Sequence, residues 1–203
     1  MEFHVITNGK LSFSEMLPKV KEFHPFIDFL HIREKEKSSK ELYEGIQVFL
    51  NEGIPAAKLI INDRVDLAMI TGIKRVQLGT QGIPVSAVKS SFPALYAGSS
   101  VHSLKEARAA IIGRADMLLY GHVFETDSKK GREPRGLAEL CEVAEQSPVP
   151  VIAIGGIRPD YVPEILLAGA AGFAVMSGIW DSQDTLKAAS DYRSAVGKGG
   201  LLI

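Results

Sequence analysis

Cysteine is nearly absent from this chain, because Cys141 is the one thiol in 203 residues. A single thiol excludes an internal disulfide framework, and it predicts a reducing, cytoplasmic compartment. Cys141 falls on a predicted helix, where we expect a buried side chain that packs as a small apolar group.

An excess of charge of either sign is also missing, because 24 acidic side chains balance 23 basic ones and the net charge is −1. Proteins that bind nucleic acid need a basic surface, so the sequence predicts no nucleic-acid partner. The longest mostly apolar run, residues 165–176, is shorter than the roughly 20 residues that cross a bilayer. The first residues, MEFHVITNGK, lack the basic and apolar regions of a signal peptide, so we expect neither a leader nor a membrane segment.

Short apolar runs alternate with longer amphipathic stretches along the whole chain. We predict strands at residues 3–6, 27–32, 58–61, 75–78, 94–98, 117–120, 151–154 and 172–176. Each is followed by a helix-forming stretch, which predicts an α/β protein whose parallel strands close into a single (β/α)8 TIM barrel with short loops. At roughly 25 residues per unit, this barrel uses residues 1–203 as one domain. An open doubly wound sheet is the alternative, and eight units without a long insertion fit it less well.

The predicted helices have recognisable ends. They cover residues 14–23, 39–51, 64–70, 85–89, 103–112, 136–146, 160–168 and 181–195. Gly53, Gly72 and Gly113 follow three of them, as is typical of helix C-termini. Ser103, with Glu106 three residues later, has the form of a capping box.

Glycine-bearing turns follow the seventh and eighth predicted strands. They read Ile154-Gly155-Gly156-Ile157 and Met176-Ser177-Gly178-Ile179. In a TIM barrel these two turns commonly bind a phosphate group, because bare backbone N–H groups converge there. A phosphorylated small molecule is therefore the predicted substrate class, although glycine after a strand also serves turn geometry alone.

Two cations lie at the end of the second predicted strand. Alternation of side chains places His31, Arg33 and Lys35 on one side of that strand, toward the barrel mouth. A guanidinium and an ammonium there are suited to a carboxylate or a second phosphate. The alternative is a pair of surface cations bonded to Glu34 or Glu36.

His122 differs in its context from the other four histidines. It follows the sixth strand directly, after Gly121, whereas His4 lies in a strand and His24 and His102 lie at helix ends. An imidazole at the barrel mouth can take and return a proton near neutral pH, so His122 is the candidate catalytic residue. The alternative is a histidine that is hydrogen-bonded to a loop carbonyl.

The ordered motifs resemble the thiamin phosphate synthase family of TIM barrels along nearly the whole chain. The motifs are His31-Ile32-Arg33-Glu34-Lys35, Leu59 through Arg64, Val76-Gln77-Leu78-Gly79, Gly98 through Ser103, Ala115 through Lys129, Ala153 through Ile157, and Gly172 through Ser177. The resemblance implies a diphosphate site at Arg33, Lys35, Asn62, Ser100 and Lys129. It implies a thiazole phosphate site at Thr126, Ser128, Gly156, Met176 and Ser177, to which the eighth-strand turn adds Gly178. Asp63 matches one magnesium ligand.

The departures from the family pattern concern the chemistry. The family's glutamine is His31 here, its histidine before Leu-Gly is Gln77, and its acidic run is Gly79-Thr80-Gln81-Gly82, so that the second magnesium carboxylate is missing. The proline that is usual after the sixth-strand glycine is His122. Mg²⁺ is held through carboxylates together with substrate phosphates, so the loss of one carboxylate weakens its site.

A lost magnesium ligand and a gained histidine resemble the thiazole tautomerase (TenI-type) branch of this family. The resemblance implies an isomerase that aromatises a carboxylated thiazole phosphate tautomer, with no metal and no cofactor. Its expected partner is this small phosphorylated substrate, and a homodimer stays open because the sequence has no motif for one. A ligand-sensing paralogue and a residual thiamin phosphate synthase are the alternatives.

Overall fold

The computed structural model describes residues 1–199 and is a closed barrel of eight parallel strands. The strands are β1 (Glu2–Ile6), β2 (Phe29–Ile32), β3 (Leu59–Asn62), β4 (Arg75–Leu78), β5 (Tyr96–Val101), β6 (Met117–Gly121), β7 (Val151–Ile154) and β8 (Gly172–Val175). Each strand pairs with its neighbours in sequence, and β8 closes the barrel against β1, with Phe3 opposite Phe173. The predicted (β/α)8 fold is confirmed. The last residues of the predicted domain, 200–203, lie outside the described part.

Helices surround the strands. They are α1 (Phe13–Phe23), α2 (Ser39–Asn51), α3 (Val65–Thr71), α4 (Val85–Ser91), α5 (Leu104–Ile112), α6 (Gly136–Gln146), α7 (Val162–Leu167), α8 (Ser177–Trp180) and α9 (Thr185–Gly199). Short 3-10 turns at His24–Phe26, Ala56–Lys58, Asp127–Lys129 and Pro159–Tyr161 complete the connections. None of the helices within residues 1–199 is long and apolar enough to cross a membrane.

Serine caps fix where several helices begin. Ser12 with Glu15 and Ser38 with Glu41 form complete capping boxes before α1 and α2. The box predicted at Ser103 is only half formed. Ser103 accepts a hydrogen bond from the Glu106 amide, but the Glu106 carboxylate accepts the amide N–H of His102 instead of that of Ser103.

Several element boundaries differ from the sequence prediction, and two of these differences concern the site and the chain around it. β5 begins and ends later than predicted, so Ser100 lies within the strand. The last predicted helix, residues 181–195, begins later as α9, after Asp184, whose carboxylate accepts the amide N–H of Lys187. A single turn, α8, comes before it, directly after β8, where no helix was predicted. The hydrophobic pattern does not reveal a helix of one turn.

Apolar side chains form two layers. The larger core lies between the strands and the helices and includes Phe3, Phe173 and Tyr192, whose rings pack together. A smaller cluster of Ile6, Met117, Leu119, Ile152 and Ala174 fills one side of the barrel interior. Cys141 packs only partly buried against the larger core, so the prediction of a buried residue was wrong. Its place on α6 leaves one side of the thiol toward solvent.

The other side of the barrel interior is polar. His4 and His31 are both fully buried, with 2.9 Å between His4 Nδ1 and His31 Nε2, and His4 Nε2 lies 3.1 Å from the Glu2 carboxylate. Since a carboxylate accepts, neutral His4 donates from Nε2 and accepts at Nδ1, so His31 donates from Nε2. Burial lowers the pKa of His4 and lowers that of His31 further. Both rings are therefore neutral at neutral pH.

Candidate active site

One side of the barrel mouth carries cations. Arg33, Lys35 and Asn62 line a cavity of about 330 Å³ at the ends of β2 and β3. The amide of Arg33 donates to the buried Thr7 hydroxyl at 2.8 Å, which ties the residue to the end of β1. Glu34, which is buried, pairs with Lys37. Among residues 1–199, no carboxylate pairs with Arg33 or Lys35, so both cations are available to an anionic ligand.

The position of Lys35 has a different cause from the one predicted. β2 ends at Ile32, so the alternation of a strand does not extend to Lys35, which lies exposed in the turn that follows. A turn rather than a strand carries the ammonium to the rim of the cavity. Because β2 ends before Arg33, the prediction of one common strand face for His31, Arg33 and Lys35 was wrong for both cations.

Amide side chains line the mouth beside these cations. Gln77 is fully buried in β4 and donates from Nε2 to the Ser100 hydroxyl at 3.0 Å. A Cβ atom on Gly98 would lie 2.2 Å from Gln77 Oε1, so glycine makes room for this side chain. The oxygen atoms of Gln77 and Asn62 are buried and have no hydrogen-bond partner among the described residues.

His122 is nearly buried on the opposite side of the mouth. Its Nε2 lies 3.1 Å from the carbonyl oxygen of Arg132, and its own carbonyl accepts the amide N–H of Arg135 at 2.8 Å. The predicted alternative, a bond to a loop carbonyl, is therefore present. Nδ1 has no hydrogen-bond partner among the described residues, and His122 as a whole is 8% exposed.

The loop after β6 supplies the next predicted contacts. Thr126 caps the 3-10 turn Asp127–Lys129 with its hydroxyl, which accepts the amide N–H of Ser128 at 3.4 Å. Ser128 and Lys129 are exposed. The backbone of this loop passes directly over Gly156. A Cβ there would lie 2.1 Å from the carbonyl oxygen of Glu125, and the φ of Gly156 is +67°.

The two glycine-bearing turns lie at adjacent strand ends. Gly156 follows β7, and Met176 precedes α8, which begins at Ser177 and Gly178. Trp180 anchors α8 to β1 by donating from Nε1 to the carbonyl of Ile6 at 2.8 Å. Ser177 and Gly178 are exposed and begin α8, so their backbone N–H groups have no partner within that helix.

The predicted site therefore has two sides. The sides face each other because β2 and β3 lie opposite β6 and β7 in an eight-stranded barrel. Arg33, Lys35 and Asn62 line the cavity on one side. Ser100 lies within β5 and does not line that cavity. The remaining predicted residues follow β6, β7 and β8 and do not line it either: His122, Thr126, Ser128, Gly156, Met176, Ser177 and Gly178.

Comparison with known proteins identifies the family. Residues 3–179 match the family TMP-TENI, described as thiamine monophosphate synthase. The chain belongs to this family. It is 32% identical over 201 residues to the thiamine-phosphate synthase of Pyrococcus abyssi, covering 97% of this chain and 95% of the relative. With the thiamine-phosphate synthase of Anaeromyxobacter dehalogenans it shares 37% identity over 172 residues, which cover 84% and 78% of the two chains.

A solved structure agrees with these relatives. The thiamine phosphate pyrophosphorylase of Pyrococcus furiosus superimposes with a TM-score of 0.82 at 31% identity, and the match covers 98% of this chain and 96% of that one. The thiamine monophosphate synthase fold is thus present here along nearly the whole chain.

The residues of this family member do not fit the magnesium ion that the family pattern implies. Asp63 Oδ1 already accepts the amide N–H of Gly79 at 2.7 Å. Gly82 stands where the resemblance implies a carboxylate, and an added Cβ there would lie 3.0 Å from the same oxygen. Residues 1–199 contain no group of three or more His, Cys, Asp or Glu side chains that could hold a metal. One carboxylate that is already hydrogen-bonded is a poor magnesium site.

Sequence reasoning assigned no contact to His102. Its ring Nδ1 lies 2.5 Å from the carbonyl oxygen of Gly121, in the peptide unit that joins Gly121 to His122. A carbonyl only accepts, so His102 donates and fixes this peptide from the side of β5. The two residues are 19 positions apart, and no local pattern connects them.

Proposed function

We propose that this protein is a thiazole tautomerase of thiamin biosynthesis, which aromatises a carboxylated thiazole phosphate tautomer. The observation that carries the proposal is His122, a histidine at the barrel mouth whose Nδ1 has no hydrogen-bond partner among the described residues. It lies beside two turns suited to a phosphate and opposite Arg33 and Lys35, which pair with no carboxylate of residues 1–199 and are suited to a substrate carboxylate. This arrangement supports a doubly anionic substrate that spans the mouth.

The hydrogen bond to the loop assigns the protons of the His122 ring. The Arg132 carbonyl only accepts, so neutral His122 carries its proton on Nε2 and has a lone pair on Nδ1. When Nδ1 takes up a proton, the same carbonyl stabilises the imidazolium. The loop bond and a catalytic role are therefore compatible, and Nδ1 is the proposed base.

In the proposed reaction the substrate phosphate binds backbone N–H groups near Gly156, Ser177 and Gly178. Thr126 and Ser128 cover the ring. Arg33 and Lys35, with Asn62 and Ser100 beside them, bind the carboxylate.

His122 removes the proton at the carboxylate-bearing ring carbon. The electron pair of that C–H bond enters the ring, and the exocyclic double bond takes the proton back at its outer carbon. Substrate and product are isomers, so no co-reactant is needed. Because the product is aromatic, the chain supplies alignment and proton transfer only.

Thiamin phosphate synthesis is the second candidate, because the relatives at 32% and 37% identity carry that name. The magnesium donor set argues against it, since Gly82 replaces a carboxylate and Asp63 is bonded to Gly79. A ligand-sensing role without chemistry is the third candidate. Such a role would not require a proton-transfer group such as His122 at the mouth.

The test of the proposal is aromatisation of the tautomer. Purified protein is mixed with the carboxythiazole phosphate tautomer, and the ultraviolet absorbance of the product is followed with and without EDTA. We expect the same acceleration over the uncatalysed reaction in both samples. A rate equal to that of the protein-free solution would support the ligand-sensing role, and a rate abolished by EDTA would contradict proton transfer by His122 alone.

Replacing Arg33 with methionine tests recognition of the carboxylate. The variant keeps a long apolar side chain but loses the charged donors, so we expect KM for the carboxylated tautomer to rise at least about tenfold. Binding of a thiazole phosphate without the carboxylate should change by less than about twofold, as measured by calorimetry. Lys74→Met, at an exposed position before β4, is the control. Equal losses for both ligands would place Arg33 outside the carboxylate site.

A further inference from the structure

Tyr192 of α9 lies behind both glycine-bearing turns. Its hydroxyl donates to the carbonyl of Ile157 at 2.8 Å, in the turn after β7. The same hydroxyl lies beside Gly178, where an added Cβ would approach the oxygen to 2.2 Å. One buried hydroxyl therefore touches the turn after β7 and the turn after β8.

The rest of Tyr192 is held in place by the core. The residue is 3% exposed, and its ring packs against those of Phe3 and Phe173 with centroids 5.5 and 5.9 Å away. Burial, with a smaller effect of Asp160, raises the pKa of Tyr192 to about 12. The hydroxyl consequently keeps its proton at neutral pH and can donate it to the Ile157 carbonyl.

The lack of a side chain at Gly178 leaves room for this hydroxyl. The three atoms nearest to an added Cβ all belong to Tyr192: the hydroxyl oxygen at 2.2 Å, Cζ at 3.1 Å and Cε2 at 3.3 Å. The Tyr192 hydroxyl is therefore the nearest obstacle to a side chain at Gly178. The φ of Gly178 is not in the left-handed region, so alanine there has no other obstacle from the backbone.

We propose that Tyr192 is a positioning residue for substrate binding, which holds the turns at Ile157 and Gly178 at the spacing that a phosphate group requires. The inference rests on the phosphate site of the proposed function. Tyr192 lies on the protected side of the turns and does not touch the ligand. It acts by fixing the N–H groups of two strand ends relative to each other, so that they are preorganised before the phosphate arrives.

Three variants test this role: Tyr192→Phe, Gly178→Ala and the double variant. The probe is inorganic phosphate, whose binding is followed by ³¹P NMR and by the amide resonances of residues 155–157 and 177–179. Tyr192→Phe keeps the ring and removes the hydrogen bond, so we expect phosphate affinity to fall about fivefold. Gly178→Ala pushes its methyl group against the hydroxyl and should lower affinity further. Tyr43→Phe, at an exposed tyrosine on α2, is the control and should not change it.

The double variant gives the decisive comparison. Without the hydroxyl, the methyl group that Gly178→Ala adds has its nearest neighbour at 3.1 Å, so Tyr192→Phe should restore part of the affinity that Gly178→Ala alone removes. Additive losses, or full affinity in Tyr192→Phe, would overturn the proposal. With the tautomer as substrate, Tyr192→Phe should have a higher KM than the wild type, while its kcat stays within about twofold because His122 is unchanged. A loss of kcat alone would also contradict the role.

Failure of this proposal and failure of the proposed function give different results. If wild-type protein does not bind phosphate at these amides, the phosphate site of the proposed function and the role of Tyr192 are both rejected. If wild-type protein binds phosphate there and Tyr192→Phe binds it equally well, the phosphate site stands and only the role of Tyr192 is rejected. Urea unfolding of each variant identifies any loss of affinity that follows from an unfolded population.

Discussion

Replacing His122 with glutamine or alanine is expected to lower the rate of tautomerisation by about 10²–10⁴-fold while the barrel stays folded. Glutamine can still donate to the Arg132 carbonyl and so retains the tie to the loop, but it has no basic nitrogen. If Nδ1 is the base, both variants lose the same contribution of proton transfer to the rate. The measurement is kcat by product absorbance, with circular dichroism to confirm the fold.

His24→Gln is the matched control, because His24 lies in the 3-10 turn before β2, at the end of the barrel opposite the mouth. Its kcat should equal that of the wild type. A His122→Gln variant that keeps most of the activity while His122→Ala loses it would show that the ring only anchors the loop. Full activity in both variants would remove His122 from the mechanism.

Acid is expected to destabilise the barrel through its buried histidines, and His31→Gln should reduce this sensitivity. Burial, and then the neighbouring His4, hold the pKa of His31 well below the usual histidine value of 6.5. Above that usual value both folded and unfolded chains are neutral at this ring, and pH has no effect through it. As pH falls further, the unfolded chain takes up the proton and the folded chain does not, so unfolding is favoured. Glutamine offers an N–H to His4 and does not titrate.

The measurement is the free energy of unfolding in urea at about pH 7 and about pH 5.5, on either side of the usual histidine pKa. Each histidine kept neutral by folding contributes a slope of at most about 1.4 kcal/mol per pH unit below its unfolded pKa. The drop between the two pH values should therefore be smaller in His31→Gln by about 1 kcal/mol, with an unchanged m-value. Both pH values lie above the pH range in which Glu2 takes up a proton, because its hydrogen bond to His4 lowers its pKa. Equal drops in both proteins would mean that His31 is protonated in the folded state.

The strand count and the closure of the barrel could be predicted from the sequence, because β-branched runs and glycine stops are local signals. The start of α9 depended on which of two aspartates, Asp181 or Asp184, caps the helix, and the cap at Asp184 decides it. The end of β2 before Lys35 could likewise not be predicted from the local sequence. The alternation that places His31 ends where β2 ends, and nothing in the local pattern marks Ile32 as the last strand residue.

The site was partly predictable for a related reason. Gly156, Ser177 and Gly178 follow strands, so the topology places them at the mouth. The contacts of His122 and Tyr192 join residues distant in sequence. Arg132 bonds to the His122 ring through a loop carbonyl, which every residue type possesses, and Tyr192 reaches Ile157 from α9, 35 positions away. Such contacts depend on packing and leave no signature of spacing.

Proton transfer, rather than the joining of two substrates, is the reaction that we propose for this member of the family. One sample separates the two reactions: the protein with the carboxythiazole phosphate tautomer, thiazole phosphate, pyrimidine diphosphate and Mg²⁺, followed by proton NMR. We expect rapid loss of the tautomer, appearance of the aromatic carboxythiazole phosphate, and thiamin phosphate formation at least about 100-fold slower, on the order of the contribution from one positioned base. Thiamin phosphate that accumulates as fast as the aromatic product, or a tautomer that persists as long as in protein-free buffer, would contradict the proposal.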